Sequence, residues 1–154
     1  MNEAAKVLSE FGIDYELTIS SAHRSPQRSV ELVENFHENG GKIIICGAGL
    51  AAHLAGVVAS FTTLPVIGIP TKGKNLDGMD SLLSTVQMPP GVPVATVGID
   101  AAKNAGLLAV QILSTADAGL RKKMEDYKSK MSKEILGKDK KLQEVGYKKY
   151  LEQK

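Results

Sequence analysis

The fold of this 154-residue chain is decided by the stretch Lys42-Ile43-Ile44-Ile45-Cys46-Gly47-Ala48-Gly49. Consecutive isoleucines are typical of a strand that is buried on both faces, and such strands belong to parallel sheets covered by helices. The stretch therefore predicts a strand over Lys42–Cys46, a turn at Gly47-Ala48-Gly49 and a helix over Ala51–Phe61. Further along the chain, Pro65–Ile69 and Val92–Val97 predict two more strands.

The same alternation of strand and helix extends upstream of this stretch. Tyr15–Ile19 predicts a strand, and Pro26–Glu38 predicts a helix with Ser25 as its N-cap and proline in its first turn. The apolar face of residues 3–11 predicts a helix that ends at Gly12. No strand precedes that helix, so either the domain begins with a helix or an upstream strand is absent from this sequence.

Downstream, the pattern predicts a loop, three helices and a tail. Residues 71–78 form a polar, glycine-rich segment that we expect to cover a site, and Asp80 is predicted to cap a short helix. Residues 101–113 predict an apolar helix. From Asp117 an amphipathic helix follows, and residues 137–154 are expected to be mobile or to pack on a neighbouring subunit. We predict an α/β fold, a three-layer αβα sandwich with a flavodoxin-like parallel sheet, over residues 1–116, with an additional amphipathic C-terminal helix and basic tail over 117–154.

Composition and charge indicate an ordinary soluble domain. The hydrophobic content is 43% and the charged content 23%, and no apolar run approaches the roughly 20 residues of a membrane span. The single cysteine, Cys46, excludes an intrachain disulfide and favours a reducing cytoplasm; we interpret Cys46 as a core residue rather than a nucleophile. Residues 117–154 hold 12 Lys and Arg against 7 Asp and Glu. Because these charges alternate and no aromatic platform accompanies them, we favour a solvated helix face over a nucleic-acid site.

A histidine and an arginine stand side by side after the first predicted strand, in Ser20-Ser21-Ala22-His23-Arg24-Ser25-Pro26. The carboxyl ends of parallel strands are where open α/β sheets bind ligands. Imidazole moves a proton near neutral pH, and guanidinium holds a phosphate or a carboxylate. His53 is predicted at the same end of the sheet. An exposed loop with two ordinary polar residues is the alternative interpretation of this heptapeptide.

Four segments together resemble the class I N5-carboxyaminoimidazole ribonucleotide mutases of purine biosynthesis. They are Ser21–Pro26, Gly47–Leu54, Gly78–Pro89 and Gly91–Thr96. Their order and spacing also match over residues 1 to about 116, and the last 38 residues lie largely outside the resemblance. The resemblance implies a flavodoxin-like sheet, a homo-octamer with sites built from more than one subunit, a small ribonucleotide substrate and a reaction without cofactor or metal. It implies no nucleic-acid or membrane partner.

The resemblance also implies roles for individual residues. His23 matches the proton-transfer residue of the family, and Ser21 and Arg24, on either side of Ala22, match positions that hold the substrate phosphate. The remaining positions match residues that line the pocket for the base and the carboxylate; they are Ala48, Gly49, His53 and Leu54. Purine biosynthesis implies a cytoplasmic location.

The sequence departs from the family pattern at its beginning and at two further positions. The family opens with a strand and a Gly-Ser-x-Ser-Asp loop that contact the phosphate and ribose, and nothing here matches them. We interpret the missing segment as the result of a wrongly assigned start codon or a truncated gene, rather than as a natural short form of the protein. Leu50 stands where the family usually has glycine, and Ala55 where it usually has proline. Two alternatives to the mutase remain: a carboxylase that uses CO2 directly, and a non-catalytic remnant.

Overall fold

The structure, a computed structural model, describes residues 1–153, which divide into two compact units. The first unit comprises Met1–Leu113 and the second begins at Ser114. The elements in chain order are α1 (Asn2–Phe11), α2 (Pro26–Glu38), β1 (Ile44–Gly49), α3 (Leu54–Ser60), β2 (Val66–Thr71), α4 (Met79–Val86), β3 (Ala95–Thr96), α5 (Ala102–Ser114), α6 (Ala118–Val145) and α7 (Tyr147–Glu152). No helix within residues 1–153 is both long enough and apolar enough to cross a membrane.

The strands form one parallel sheet in the order β1-β2-β3. β1 pairs with β2 over six residues, from Ile44 beside Val66 to Gly49 beside Thr71, whereas β2 pairs with β3 only at Ile67 and Gly68. Parallel strands joined by helices confirm the predicted flavodoxin-like α/β fold. The carboxyl ends of β1 and β2 therefore lie together at Gly49 and Thr71.

Two clusters of buried apolar residues fill the space between the sheet and its helices. Successive residues of a strand point to opposite faces, so β2 contributes Ile67 and Ile69 to one cluster and Val66 to the other. The α1–α5 cluster consists of Ala4, Ile67, Ile69, Ala102, Ala105 and Ala109. The α2–α3 cluster consists of Val33, Cys46, Ala55, Val58 and Val66. A core on each face of the sheet explains why the Ile43–Cys46 stretch is continuously apolar.

Helices α1 and α5 approach each other closely at Gly106. A Cβ atom added at Gly106 would lie 3.0 Å from the carbonyl oxygen of Ala4 and 3.0 Å from Cβ of Val7. Since a Cβ atom this close to backbone would push the helices apart by a few tenths of an ångström, glycine allows the observed spacing of α1 and α5.

The prediction of a strand over Tyr15–Ile19 is wrong. Residues 13–20 have no regular secondary structure, and the side chains of Tyr15, Leu17 and Ile19 are exposed, Ile19 by 99%. Alternating apolar residues form a strand only where a neighbouring strand accepts their main-chain hydrogen bonds. In the sheet order observed here, no strand lies beside this segment.

Several predicted boundaries also differ from the structure. Gly47-Ala48-Gly49 is the end of β1 rather than a turn, because its main-chain groups pair with β2, and α3 begins at Leu54 rather than Ala51. The N-cap of α4 is Gly78, with φ of 91°, and not Asp80, which lies in the first turn. The predicted strand Val92–Val97 is reduced to Ala95–Thr96.

The second unit consists of α6 and α7. Asp117 is the N-cap of α6, and its Oδ1 accepts a hydrogen bond of 2.9 Å from the Leu120 N–H. The helix continues to Val145, beyond the apolar periodicity that ends at Ile135. Exposed ion pairs at i,i+4, Lys122–Asp126 and Lys140–Glu144, lie along the surface of this polar helix.

Candidate functional site

The His23 turn is held by the main chain and side chain of Ser21. The Ser21 carbonyl oxygen accepts hydrogen bonds from the N–H groups of Arg24 at 3.2 Å and Ser25 at 2.8 Å. Its Oγ also accepts from the Arg24 N–H, at 3.3 Å. Ser25 is the N-cap of α2 as predicted, but its hydroxyl donates to the Ser21 carbonyl oxygen rather than capping the helix. These hydrogen bonds therefore fix the backbone of the turn that carries residues 22–24.

The structure brings His23 and His53 together. Their ring centroids are 4.7 Å apart with an angle of 61° between the ring planes, an edge-to-face arrangement. His53 is the N-cap of α3, which follows the carboxyl end of β1, and both imidazoles are exposed. Two solvent-reachable imidazoles in contact, carried by loops at one edge of a parallel sheet, form a site that can bind and transfer a proton.

The remaining predicted site residues lie in the His23 turn, at the end of β1 and at the start of α3. Ala22 is half-buried within the turn, and Ala48 and Gly49 are the last two residues of β1. The Arg24 side chain is exposed and has no carboxylate partner among residues 1–153, so its guanidinium is available to an anion. Leu54 differs from the others, because its side chain packs on the α2–α3 cluster.

Thr71 and Leu50 make close contacts at the carboxyl ends of β1 and β2. A Cβ atom at Gly49 would lie 2.7 Å from Oγ1 of Thr71, so glycine lets this hydroxyl approach the β1 backbone. Leu50, directly after β1, has a φ of 56°, in the left-handed region that a branched side chain disfavours. A Cβ atom added at Gly73 would lie 3.2 Å from Cδ2 of Leu50. Leu50 thus links the end of β1 to the loop that follows β2.

Hydrogen bonds and an ion pair hold the loop of residues 71–78 in place, and the sequence analysis did not identify the side chains that form them. Ser81 Oγ is within 2.9 Å of the carbonyl oxygens of both Thr71 and Gly78, its two acceptors. Asp100 Oδ1 accepts from the Lys72 N–H at 3.0 Å, and Lys72 Nζ lies 3.0 Å from Oδ1 of Asp77. The only sequence signal for these contacts was the polar character of the loop, because their partners are up to 28 residues apart.

Cys46 is a core residue, as predicted. It is buried in the α2–α3 cluster, and burial raises the pKa of its thiol to about 12. A thiolate is the nucleophilic form of cysteine, so a thiol held neutral at physiological pH is inert. Cys46 is therefore not a candidate nucleophile.

Comparison with known proteins agrees with this geometry. Residues 1–134 match the AIR carboxylase family. The chain belongs to that family. Within the AIR carboxylase family it is 56% identical to the N5-carboxyaminoimidazole ribonucleotide mutase of Thermotoga maritima, over 100% of this chain and 90% of the relative. It is 53% identical to the phosphoribosylaminoimidazole carboxylase of Saccharomyces cerevisiae, over 100% of this chain but only 27% of that longer protein.

A solved structure shares the fold. The crystal structure of Treponema denticola PurE superposes with a TM-score of 0.85 at 30% sequence identity, and the match covers 92% of this chain and 88% of that one. This likeness confirms the flavodoxin-like architecture over nearly all of the chain. The identity to the Thermotoga maritima mutase confirms the resemblance to the N5-carboxyaminoimidazole ribonucleotide mutases that four short segments indicated.

Proposed function

We propose that this protein is a mutase of purine biosynthesis that converts N5-carboxyaminoimidazole ribonucleotide to 4-carboxy-5-aminoimidazole ribonucleotide. The observation that carries the proposal is the His23–His53 pair at the ligand-binding edge of the sheet. It lies in a chain that is 56% identical over its full length to a protein named for this activity. The enzyme class is an isomerase, because one carboxylate changes position within one molecule.

The reaction needs one proton donated and one proton removed. The bond between the exocyclic nitrogen and the carboxylate carbon breaks, and that nitrogen takes up a proton. Ring carbon C4 then forms a bond to the released CO2 and loses its own proton. We assign both transfers to the His23 imidazole, which ends the cycle in the protonation state in which it began. Closure of the pocket keeps CO2 from escaping before C4 captures it.

The other site residues bind the substrate in this proposal. Arg24 and Ser21 hold the phosphate. This role is supported by the Arg24 guanidinium, which has no carboxylate partner within residues 1–153, and by its position next to His23 in the chain. Ala22, Ala48, Gly49, His53 and Leu54 line the pocket for the base and the carboxylate. Small residues at the end of β1 allow a ligand to approach the backbone there.

We further propose that the protein is a cytoplasmic homo-octamer. An apolar stripe on and before α4 supports self-association: its side chains are each about half exposed or more and recur at helical spacing, at Leu76, Met79, Leu83 and Val86. Stripes of this kind mark protein interfaces. The cytoplasmic location rests on the single reduced cysteine and on the pathway.

The direct test compares His23→Asn with His37→Asn in the conversion of the carboxyamino ribonucleotide to its C4-carboxylate. His37 is the matched control, because it is an exposed histidine near the end of α2, outside the site. Loss of a positioned proton donor costs about 100-fold or more, so we expect His23→Asn to fall by that factor and His37→Asn to be unchanged. Near-normal turnover of folded His23→Asn would contradict the assignment.

The second candidate is a carboxylase that uses aminoimidazole ribonucleotide and CO2 directly. The 53% identity to the yeast carboxylase supports this candidate, less strongly than the 56% identity to the mutase, because this chain covers only 27% of the yeast protein. The two activities differ in substrate. Turnover of aminoimidazole ribonucleotide with CO2, and none of the carboxyamino compound, would establish the carboxylase.

A further inference from the structure

Ser29 is a polar residue on the buried face of α2. Its exposed fraction is 3%, and the other buried residue of this helix is Val33, one turn further on. Val33 packs in the α2–α3 cluster, where an apolar side chain is expected. A buried hydroxyl instead needs a hydrogen-bond partner, because leaving it unpaired costs the free energy of its lost hydration. The partners of Ser29 therefore indicate why a hydroxyl stands at this position.

The Ser29 hydroxyl bonds to residues at both ends of the His23 turn. Its Oγ lies 2.7 Å from Oγ of Ser20, directly before the turn, and donates to the Ser25 carbonyl oxygen at 3.3 Å. A serine hydroxyl has one proton to donate. Since that proton is directed to Ser25, the short bond requires Ser20 to donate and Ser29 to accept. Serine in a helix commonly bonds to the carbonyl four residues earlier, so the bond to Ser20 is the distinctive one.

Ser20 is where the chain between α1 and α2 becomes fixed. Residues 14–19 are exposed and have no regular secondary structure. Within residues 1–153, the Ser20–Ser29 contact is the hydrogen bond that ties residues 14–20 to the rest of the chain. Without this contact, no hydrogen bond would hold the end of the segment that leads into the His23 turn.

The bond to Ser29 completes a network that we call the serine clasp, formed by Ser20, Ser21, Ser25 and Ser29. Within it, Ser25 Oγ donates to the Ser21 carbonyl oxygen at 3.2 Å, and the same oxygen accepts the Arg24 and Ser25 N–H groups. Ser20 and Ser25 lie on either side of His23 in the chain, and one buried hydroxyl joins them. The clasp therefore attaches both ends of the turn to the buried face of α2.

The placement of His23 depends on this turn, whereas that of His53 depends on the core. His53 is the N-cap of α3, and this helix is anchored by Ala55 and Val58 in the α2–α3 cluster. His23 is exposed and lies in the turn. An edge-to-face contact depends on the mutual position of both rings. The 4.7 Å separation of the ring centroids therefore requires that the turn be held.

We propose that Ser29 is a positioning residue for His23. Through the serine clasp, its buried hydroxyl holds the turn so that the His23 imidazole meets His53 in the orientation used for proton transfer. A proton donor must lie within hydrogen-bond reach of the reacting atom, so turnover depends on this placement. The effect on turnover rests on the proposed mutase activity, whereas the effect on the ring contact does not.

The first measurement is the imidazole NMR spectrum of Ser29→Ala and Ser20→Ala, each of which removes the short bond between the two hydroxyls. The protein has three histidines, and His37, near the end of α2, is the internal reference. Aromatic rings shift the signals of neighbouring protons, so a change in the ring contact is visible directly. We expect the signals of His23 and His53 to move in both variants and those of His37 to stay.

The second measurement is turnover of the carboxyamino ribonucleotide. A net hydrogen bond favours the bonded arrangement by a factor of about 2 to 10, so Ser29→Ala and Ser20→Ala should each lower kcat by about that factor. Because both substitutions break one bond, the double variant should lose no more than either single variant. Ser60→Ala is the control, since this hydroxyl donates to the Val57 carbonyl oxygen within α3. It should change neither kcat nor the histidine signals.

Circular dichroism checks that each variant is folded, and Ser20→Ala, in an irregular segment, retains the test if Ser29→Ala does not fold. Unchanged His23 and His53 signals in a folded variant would overturn the proposal. So would losses in kcat that add up in the double variant, normal kcat despite moved signals, or His37 signals that move as far as those of His23. Moved His23 and His53 signals in a protein whose natural form has no mutase activity would contradict the proposed function and support the clasp.

Discussion

His23 and His53 meet edge to face, with ring centroids 4.7 Å apart. Each imidazole comes from a different loop, one leading into α2 and the other into α3. An edge-to-face contact of this kind favours one orientation of the His23 ring. In the proposed reaction, His53 thus positions the imidazole that moves the proton.

Replacing the His53 ring should therefore lower turnover, and an aromatic replacement should restore part of it. We expect His53→Asn to reduce kcat by about 2- to 10-fold, because the His23 ring loses its edge-to-face neighbour, and His53→Phe to retain more activity than His53→Asn. Steady-state kinetics on both variants check this. Equal losses in the two would mean that an imidazole nitrogen of His53, and not its ring, is what the reaction uses.

Arg24 and Arg28 offer a matched pair for the phosphate site. Arg28 is exposed and lies 3.6 Å from the Glu31 carboxylate, whereas Arg24 has no such partner among residues 1–153. Charged hydrogen bonds contribute about 1.5–3 kcal/mol, so Arg24→Gln should raise KM about 10- to 100-fold with a smaller change in kcat. Arg28→Gln should change neither constant. A rise in KM shared by both variants would point to general loss of positive charge.

Leu50 is held in a conformation that glycine adopts without cost. Its φ of 56° is expected to cost a branched residue about 1–2 kcal/mol, partly offset by the greater freedom of glycine in the unfolded chain. Leu50→Gly should therefore increase the free energy of unfolding by up to about 1 kcal/mol in urea titrations. Leu50→Ala, which keeps a Cβ, should give no gain. If both variants lose stability, the contact of Leu50 with the loop at Gly73 outweighs the backbone strain.

Ser81 anchors both ends of the loop of residues 71–78. It is fully buried, and its hydroxyl reaches the carbonyl oxygens of Thr71 and Gly78. Ser81→Ala leaves buried acceptors with fewer partners, which costs about 1–3 kcal/mol. Ser84→Ala is the control, because Ser84 is exposed on the same helix and its hydroxyl donates to the Asp80 carbonyl oxygen within that helix. Urea titration measures the difference, and limited proteolysis at residues 72–77 should quicken in Ser81→Ala alone.

Cys46 should make stability fall in alkaline solution. Its pKa is about 12 in the folded protein and about 8.5 in an unfolded chain. Above pH 8.5 the unfolded state therefore loses a proton that the folded state keeps, so the free energy of unfolding decreases by at most about 1.4 kcal/mol per pH unit up to pH 12. Urea midpoints at pH 8 and pH 10 should differ more in the natural protein than in Cys46→Ala. Parallel slopes would show that the thiol does not contribute.

Local signals in the sequence predicted those parts of the fold that local interactions determine. The bounds of α2 were predicted as Pro26–Glu38 and are observed there, because proline begins the helix and Asn39-Gly40-Gly41 ends it. Gly12 ends α1 as expected, with its φ of 75° in the left-handed region. The continuous isoleucines correctly indicated a strand covered on both faces.

The errors occur where structure depends on a distant partner. Tyr15–Ile19 has the composition of a strand, but no neighbouring strand accepts its hydrogen bonds. Gly47-Ala48-Gly49 has the composition of a turn, yet pairing with residues 69–71 extends it. For the site, sequence placed His23 and His53 at one end of the sheet. It did not indicate their ring contact or the anchoring of the loop by Ser81 and Asp100, which depend on the assembled domain.

The glycine at position 106 makes the spacing of two helices sensitive to a single side chain. A Cβ atom there would lie 3.0 Å from the Ala4 carbonyl oxygen, so α1 or α5 would have to move by a few tenths of an ångström to admit it. The chain leaves α1 through residues 13–20 on its way to the His23 turn. The packing of α1 on α5 therefore supports the helix from which the segment leading to the candidate site starts.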